Sequence, residues 1–149
     1  MIKENDKKIC FVICYNNERY LSECLLYINN LNIPEGYIIE NINIKGAGSM
    51  TSGYQKAMTS TDAKYIVYLH QDVFILEKDF LKRTIDIFNT DKSIGMIGMV
   101  GTEKLPESAV MWQSKERVGL IRSSIIETVD DYFDKKMQIP YTEVEAVDG

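Results

Sequence analysis

Five consecutive apolar residues, Ile9-Cys10-Phe11-Val12-Ile13, are the sequence feature that most constrains the fold. A strand with one face in water alternates apolar and polar residues, whereas an unbroken apolar run is typical of a strand covered on both faces. A second run, Tyr65-Ile66-Val67-Tyr68-Leu69, ends in His70-Gln71-Asp72. Both runs therefore predict strands of a parallel sheet that is covered by helices.

Helical periodicity alternates with the predicted strands. Apolar residues at helical spacing follow the first run, and a turn signal at Pro34-Glu35-Gly36 precedes an isoleucine-rich segment. The predicted order is strand 9–13, helix 21–31, strand 37–44, helix from Ser49 or Thr51 to Thr59, strand 65–69, helix 78–89 and strand 94–100. This alternation predicts an α/β chain of Rossmann-like layout, with a mostly parallel sheet and helices on both faces.

The last third of the chain breaks the alternation. Residues 102–117 predict a long loop, residues 118–121 and 142–147 predict strands, and residues 125–133 fit either a strand or a helix. We interpret 1–149 as a single domain whose charged residues 1–8 are disordered. Because the chain stops directly after a predicted strand, we expect a fold that is truncated at its C-terminus.

Composition excludes several classes of function. A net charge of -5 disfavours a nucleic-acid partner, and 45% apolar residues are typical of a globular domain. No apolar run approaches the length of a membrane span. Residues 1–8 are charged and no apolar signal core follows them, so we expect no signal sequence in this segment. The three cysteines form no CxxC pair, so we interpret them as reduced thiols of a cytoplasmic protein.

Polar residues follow each of the first three predicted strands. These segments are Cys14 to Asn17, Lys45 to Ser49, and His70 to Asp72. In open parallel sheets, ligands bind outside the carboxyl ends of the strands. The topology therefore predicts a binding site that these three segments share.

His70 and Asp72 are the candidate metal ligands. Residues two apart on an extended segment point to the same side, so both side chains can face one ligand while Gln71 points away. An imidazole and a carboxylate form part of a coordination sphere for Mn²⁺ or a similar ion. The alternative is that Asp72 caps the next turn and His70 is a hydrogen-bonded histidine.

Two further groups of polar residues have both functional and structural interpretations. Asn16, Asn17 and Glu18 offer donors and an acceptor for a base or a ribose, or they cap a helix. Ser49, near two glycines that permit a close backbone approach to a ligand, is also an ordinary residue for a helix start. The sequence leaves both alternatives open.

The order of these motifs resembles the N-terminal part of a family 2 glycosyltransferase with the GT-A fold, and more narrowly its bacterial glycosyltransferase-like branch. The resemblance covers about Ile9 to Gly149. It rests on segments 11–18, 49–54, 68–73, 94–101 and 143–149. It implies a three-layer GT-A sandwich that binds a nucleotide-diphospho-sugar at the carboxyl edge of the sheet.

The resemblance also implies roles for single residues. His70-Gln71-Asp72 stands where the family has an Asp-x-Asp motif, so Asp72 takes the position that binds Mn²⁺ or Mg²⁺. His70 replaces the first Asp, which contacts the ribose or nucleotide, and Tyr15 and Asn16 frame the nucleobase. The matching segments add the remaining expected donor-binding residues, Glu18, Ser49, Gly53 and Gln71.

Two departures from the family pattern matter. Lys45-Gly46-Ala47-Gly48 replaces the acidic residues that hold the base, which leaves the choice of base open. No catalytic residue is identified, because the family's catalytic base lies beyond the strand at which this chain stops.

Two functional hypotheses follow from this. The first is a glycosyltransferase domain of surface-polysaccharide or glycan assembly, which transfers a sugar with inversion to a glycan or lipid-linked acceptor and is incomplete as this fragment. The second is a degenerate, non-catalytic module that acts in protein interaction or assembly. An uncovered sheet edge invites pairing with a second chain, so we also expect a homodimer.

Overall fold

The computed structural model describes residues 3–119, 122–125, 128–131 and 141–148. Its elements in chain order are β1 (Asn5–Tyr15), α1 (Glu18–Asn29), β2 (Ile38–Lys45), α2 (Met50–Met58), β3 (Ala63–His70), α3 (Phe80–Thr90), β4 (Val100–Thr102), a 3₁₀ turn (Met111–Gln113), β5 (Arg117–Gly119), β6 (Arg122–Ile125), β7 (Thr128–Asp131) and β8 (Ala146–Asp148). Contacts divide the chain into two units, Met1–Ile85 and Asp86–Gly149.

The first unit is built on a parallel sheet with strand order β2-β1-β3. The central strand β1 contains the apolar run that opened the chain, and residues 9–13 are at most 1% exposed. Fully burying one large apolar side chain stabilises a fold by about 1.5–3 kcal/mol. Burial on both faces therefore makes β1 the centre of this unit.

Helices cover both faces of this sheet. Ile9, Phe11 and Ile13 pack with apolar residues of α1 and with Leu81 and Ile85 of α3. On the opposite face, Cys10 and Val12 pack with Ala57 of α2. The predicted α/β class, with a parallel sheet between helical layers, is confirmed.

Local chemistry explains where the two helices next to the sheet edge begin. The Asn17 side chain accepts hydrogen bonds from the backbone of Arg19 and Tyr20 at the start of α1. Ser49 and Ser52 form a reciprocal capping box at the start of α2. Such caps satisfy backbone N–H groups that have no partner within the helix.

The second unit contains a short antiparallel sheet of order β5-β4-β8 and the hairpin β6-β7. Val100 and Met111 are buried together, with Leu105 and Ala146 packed against them. The buried Thr102 hydroxyl bonds with the Ser114 hydroxyl at 2.6 Å, and the Lys104 and Glu116 carbonyl oxygens lie within 3.1 Å of it. A hydrogen-bonded polar group thus lies inside this small core.

The predicted fourth strand over 94–100 is wrong. Residues 94–98 form no strand, and the strand that does form, β4, pairs antiparallel with β8 rather than joining the parallel sheet. A Cβ atom at Gly98 would lie 2.6 Å from Cβ of Val147, and one at Gly101 would lie 2.6 Å from the Ala146 carbonyl oxygen. The glycines therefore serve close packing against the end of the chain.

The predicted disorder of residues 1–8 is wrong for residues 5–8, which begin β1. The Lys8 ammonium lies 2.7 Å from a carboxylate oxygen of Asp62 and 3.1 Å from one of Glu40, so its charge is neutralised within the sheet.

Several predicted boundaries in the last third also shift. Thr102 and Arg117 belong to strands, a 3₁₀ turn interrupts the loop between them, and β8 begins at Ala146 rather than at residue 142. The segment over 125–133 contains strand residues, while 126–127 and 132–133 lie outside the described residues, as do 120–121.

The single-domain interpretation stays a prediction. Within the described part of the chain, no helix combines the length and the apolar character needed to cross a membrane.

Candidate functional site

The carboxyl ends of β1, β2 and β3 meet at one edge of the parallel sheet. Tyr15 is in register with Lys45 of β2, and Cys14 is in register with His70 of β3. Because neighbouring strands lie about 4.8 Å apart, the ends of the two outer strands are about 10 Å from each other. The three polar segments that are expected to share a site therefore lie next to each other. We call this part of the sheet, which contains residues 14–17, 45–49 and 70–72, the carboxyl edge.

His70 and Asp72 are close neighbours at the tip of β3. The His70 Nδ1 atom and the Asp72 Oδ1 atom are 3.9 Å apart, and the two side chains are 59% and 61% exposed. Their proximity comes from a turn, in which the Val73 N–H donates to the His70 carbonyl oxygen at 3.2 Å. The extended geometry expected from the sequence is thus replaced by a turn, but the pairing of the two side chains remains.

This pair brings together an imidazole and a carboxylate, two groups that bind divalent cations in proteins. The 3.9 Å between the two atoms is wider than the roughly 3 Å between neighbouring ligands of an octahedral ion with bonds of about 2.1 Å, so the two side chains would have to move closer to share one ion. Among the residues that the structure describes, no group of three or more His, Cys, Asp and Glu side chains could hold a metal ion. Mg²⁺ in nucleotide sites is commonly bound by one or two carboxylates plus substrate phosphates and water.

Gln71 turns away from this pair towards the loop between β1 and α1. Its Oε1 atom accepts hydrogen bonds from the backbone N–H groups of Asn16 at 3.0 Å and Asn17 at 2.9 Å. Its Nε2 atom donates to Oδ1 of Asn16 at 2.9 Å. The expected donor-binding residues Asn16 and Gln71 are therefore bonded to each other.

Glu18, the first residue of α1, forms an ion pair with Lys45 at the end of β2. The Lys45 Nζ atom lies 2.7 Å from Oε1 of Glu18, and both side chains are more than 60% exposed. The hydrogen bond to Glu18 raises the pKa of Lys45. Water screens such an exposed pair, so it contributes little to stability, at most about 1 kcal/mol. Its charges remain accessible to a ligand at this edge.

The expected site residues of α2 have structural contacts. The Ser49 hydroxyl accepts from the Ser52 N–H at 3.1 Å, as a helix cap does. A Cβ atom at Gly53 would lie 2.4 Å from the Cys14 Sγ atom, so this glycine lets α2 approach the end of β1. Ser49 and Gly53 thereby bring the N-terminus of α2 to the carboxyl edge.

The sequence predicted Lys45 as part of a segment that shares the site, but gave it no role of its own. Tyr54, at the same edge, is absent from the residues predicted for the site. The Tyr54 hydroxyl donates to the Leu69 carbonyl oxygen at 3.2 Å, directly before His70. Burial raises the pKa of Tyr54, so this hydroxyl stays protonated and keeps its hydrogen bond to β3. No local pattern pointed to that contact.

Comparison with known proteins identifies a family for this chain. The model of a glycosyltransferase-like family matches residues 10–149, which is nearly the whole chain. No curated protein and no solved structure gives a significant match. The matched range includes every residue described above at the carboxyl edge.

Proposed function

The chain belongs to the glycosyltransferase-like family, and from this premise we propose that the carboxyl edge binds a nucleotide-diphospho-sugar together with Mn²⁺ or Mg²⁺. The observation that carries the proposal is the His70–Asp72 pair, with 3.9 Å between Nδ1 and Oδ1 at the tip of β3. Two accessible metal ligands at the ligand-binding edge of a parallel sheet suit a cation that phosphate oxygens complete.

Each element of the edge has a part in this proposal. Asp72 and His70 would hold the cation, which when bound supplies positive charge to a diphosphate leaving group. Tyr15 and Asn16, at the end of β1, would contact the nucleoside. Glu18 and Lys45 lie on the β2 side and offer one acceptor and one cationic donor to a base or a ribose.

Sugar transfer is the further part of the proposal. The family premise supports transfer to an acceptor hydroxyl, with inversion, on a glycan or lipid-linked acceptor. Such a displacement needs a base that removes the proton of the acceptor. The proposal assigns donor binding to the carboxyl edge and assigns no residue as that base.

Calorimetric titration tests donor binding. We expect UDP or GDP to bind the wild-type chain in the presence of Mn²⁺, and we expect Asp72→Asn to weaken this binding at least tenfold, which corresponds to about 1.4 kcal/mol. Glu35→Gln is the matched control, because it removes one carboxylate from the exposed turn before β2, at the opposite edge of the sheet. It should bind as the wild type does.

Two results would contradict the proposal. One is a wild-type chain that binds neither nucleotide with Mn²⁺ or Mg²⁺ present. The other is metal-dependent binding that Asp72→Asn leaves as strong as Glu35→Gln does.

A further inference from the structure

Gln71 occupies a position between two parts of the carboxyl edge. Its neighbours in the chain, His70 and Asp72, form the candidate metal pair, while its side chain forms three hydrogen bonds with Asn16 and Asn17, directly after β1. These partners lie 54 and 55 residues earlier in the chain. Gln71 therefore joins the tip of β3 to the loop between β1 and α1.

The amide of Gln71 has little capacity left for a ligand. A side-chain amide oxygen has two lone pairs, and both are used here by the backbone N–H groups of Asn16 and Asn17. One of the two N–H bonds of its nitrogen is used by Asn16 Oδ1. A residue bonded in this way holds its neighbours in place better than it recognises a substrate.

The loop between β1 and α1 contains Asn16, one of the two residues assigned to the nucleoside, and directly follows the other, Tyr15. The Asn17 side-chain oxygen caps α1, and its backbone N–H donates a hydrogen bond to Gln71. Both of these polar groups of Asn17 are therefore held in place. Asn16 is held at its backbone and at its side-chain oxygen. Movement of this loop would therefore be coupled to movement of the turn that carries His70 and Asp72.

We propose that Gln71 is a positioning residue that holds the nucleoside-binding loop in register with the metal-binding turn, so that one nucleoside diphosphate can contact both. This inference rests on the proposed function of the edge. It assigns Gln71 a role in the affinity for the whole nucleotide, and none in binding the metal ion alone.

Two substitutions separate this role from direct ligand contact. Gln71→Met keeps the length of the side chain and removes all three hydrogen bonds. Gln71→Glu keeps an oxygen that can accept from both backbone N–H groups, and the Asn16 amide can turn to donate to the new carboxylate. Gln55→Met is the matched control, because Gln55 is exposed on α2 and its side chain forms no hydrogen bond with the residues that the structure describes.

Amide hydrogen exchange measured by NMR reads the loop directly. We expect Gln71→Met to accelerate exchange of the Asn16 and Asn17 amides at least tenfold while the amide of Val12, inside β1, is unchanged. Gln71→Glu and Gln55→Met should leave all three rates within about twofold of the wild type. Equal exchange at Asn16 and Asn17 in Gln71→Met and the wild type would overturn the proposal.

Binding measurements then test the link to the nucleotide. Gln71→Met should weaken UDP or GDP binding in the presence of Mn²⁺ by about tenfold, while Mn²⁺ binding alone, followed by electron paramagnetic resonance, stays within about twofold. Nucleotide affinity that is unchanged although the loop amides exchange faster would refute the coupling. A wild type that binds no nucleotide overturns the proposed function, and the exchange rates still decide whether Gln71 holds the loop.

Discussion

Replacing Gly53 by alanine tests the close approach of α2 to the sheet. The added Cβ atom would lie 2.4 Å from the Cys14 Sγ atom and 3.1 Å from Cβ of Ala47. Alanine is favoured over glycine inside a helix by about 1 kcal/mol. Extra atoms forced into a packed site cost about 1–3 kcal/mol. Because two contacts are compressed, we take the upper half of that range and expect a net loss of about 1–2 kcal/mol.

Urea unfolding followed by far-ultraviolet circular dichroism measures this loss. The matched control is Gly48→Ala, because a Cβ atom at Gly48 meets nothing within 4 Å. That substitution should leave stability unchanged or raise it slightly. In the double variant Cys14→Ala/Gly53→Ala, the nearest clashing atom is absent, so the alanine at position 53 should cost at least about 1 kcal/mol less than it does beside Cys14.

The reasoning would be refuted by a Gly53→Ala variant that is as stable as the wild type or more stable. It would also be refuted if the cost of the alanine at position 53 were the same with and without the Cys14 thiol. In the first case helix propensity outweighs packing, and in the second the clash lies elsewhere. A defect in nucleotide binding without any loss of stability would instead favour the donor-binding role expected for Gly53 from the sequence.

Two further predictions concern buried groups. Thr102→Val removes a buried hydroxyl that bonds with Ser114, so we expect a loss of about 1–3 kcal/mol by urea unfolding, whereas Ser22→Ala on the exposed face of α1 should cost well under 1 kcal/mol. Burial raises the pKa of Cys10 and of Cys24 to about 11, from a usual value of 9.0. Folding therefore favours the protonated thiols, and the stability that this burial contributes is fully present below about pH 9 and is lost as the pH rises towards 11. In Cys24→Ala, the urea concentration at the midpoint of unfolding should fall less steeply with rising alkaline pH than it does in the wild type. A fall as steep as that of the wild type would contradict a raised pKa of Cys24 in the folded protein.

Local patterns were sufficient for the elements of the first unit. The apolar run in β1 requires burial on both faces, and the structure covers it on both faces. The capping residues Asn17 and Ser49 bond with N–H groups within three positions of themselves, so a short segment was enough to offer capping as one of their two possible roles. Topology then placed the site, because parallel strands end at the same edge.

Features that depend on distant residues were not readable in this way. Lys8 looks like part of a charged tail, and only the register of the sheet brings Glu40 and Asp62 to it. The segment 94–100 has apolar residues at strand-like density, but its Gly98 packs against Val147 of β8, about 50 residues later. The bonds of Gln71 likewise depend on the pairing of β1 with β3. The homodimer expected from a sheet edge stays a prediction.

The strand order β2-β1-β3 has a consequence for how the chain acquires its structure. The most apolar strand is made first, yet its two partners are completed only at Lys45 and His70. At a synthesis rate of about 5–20 residues per second, His70 follows Tyr15 by about 3–11 seconds. Until then the segment Ile9–Ile13 lacks one of its two neighbouring strands, and it also lacks α3, which follows β3 and covers one face of the sheet. Parallel sheets form slowly, and their apolar segments are exposed to aggregation while they form. The yield of native protein should therefore depend on whether β1 avoids contact with other chains before β3 is synthesised.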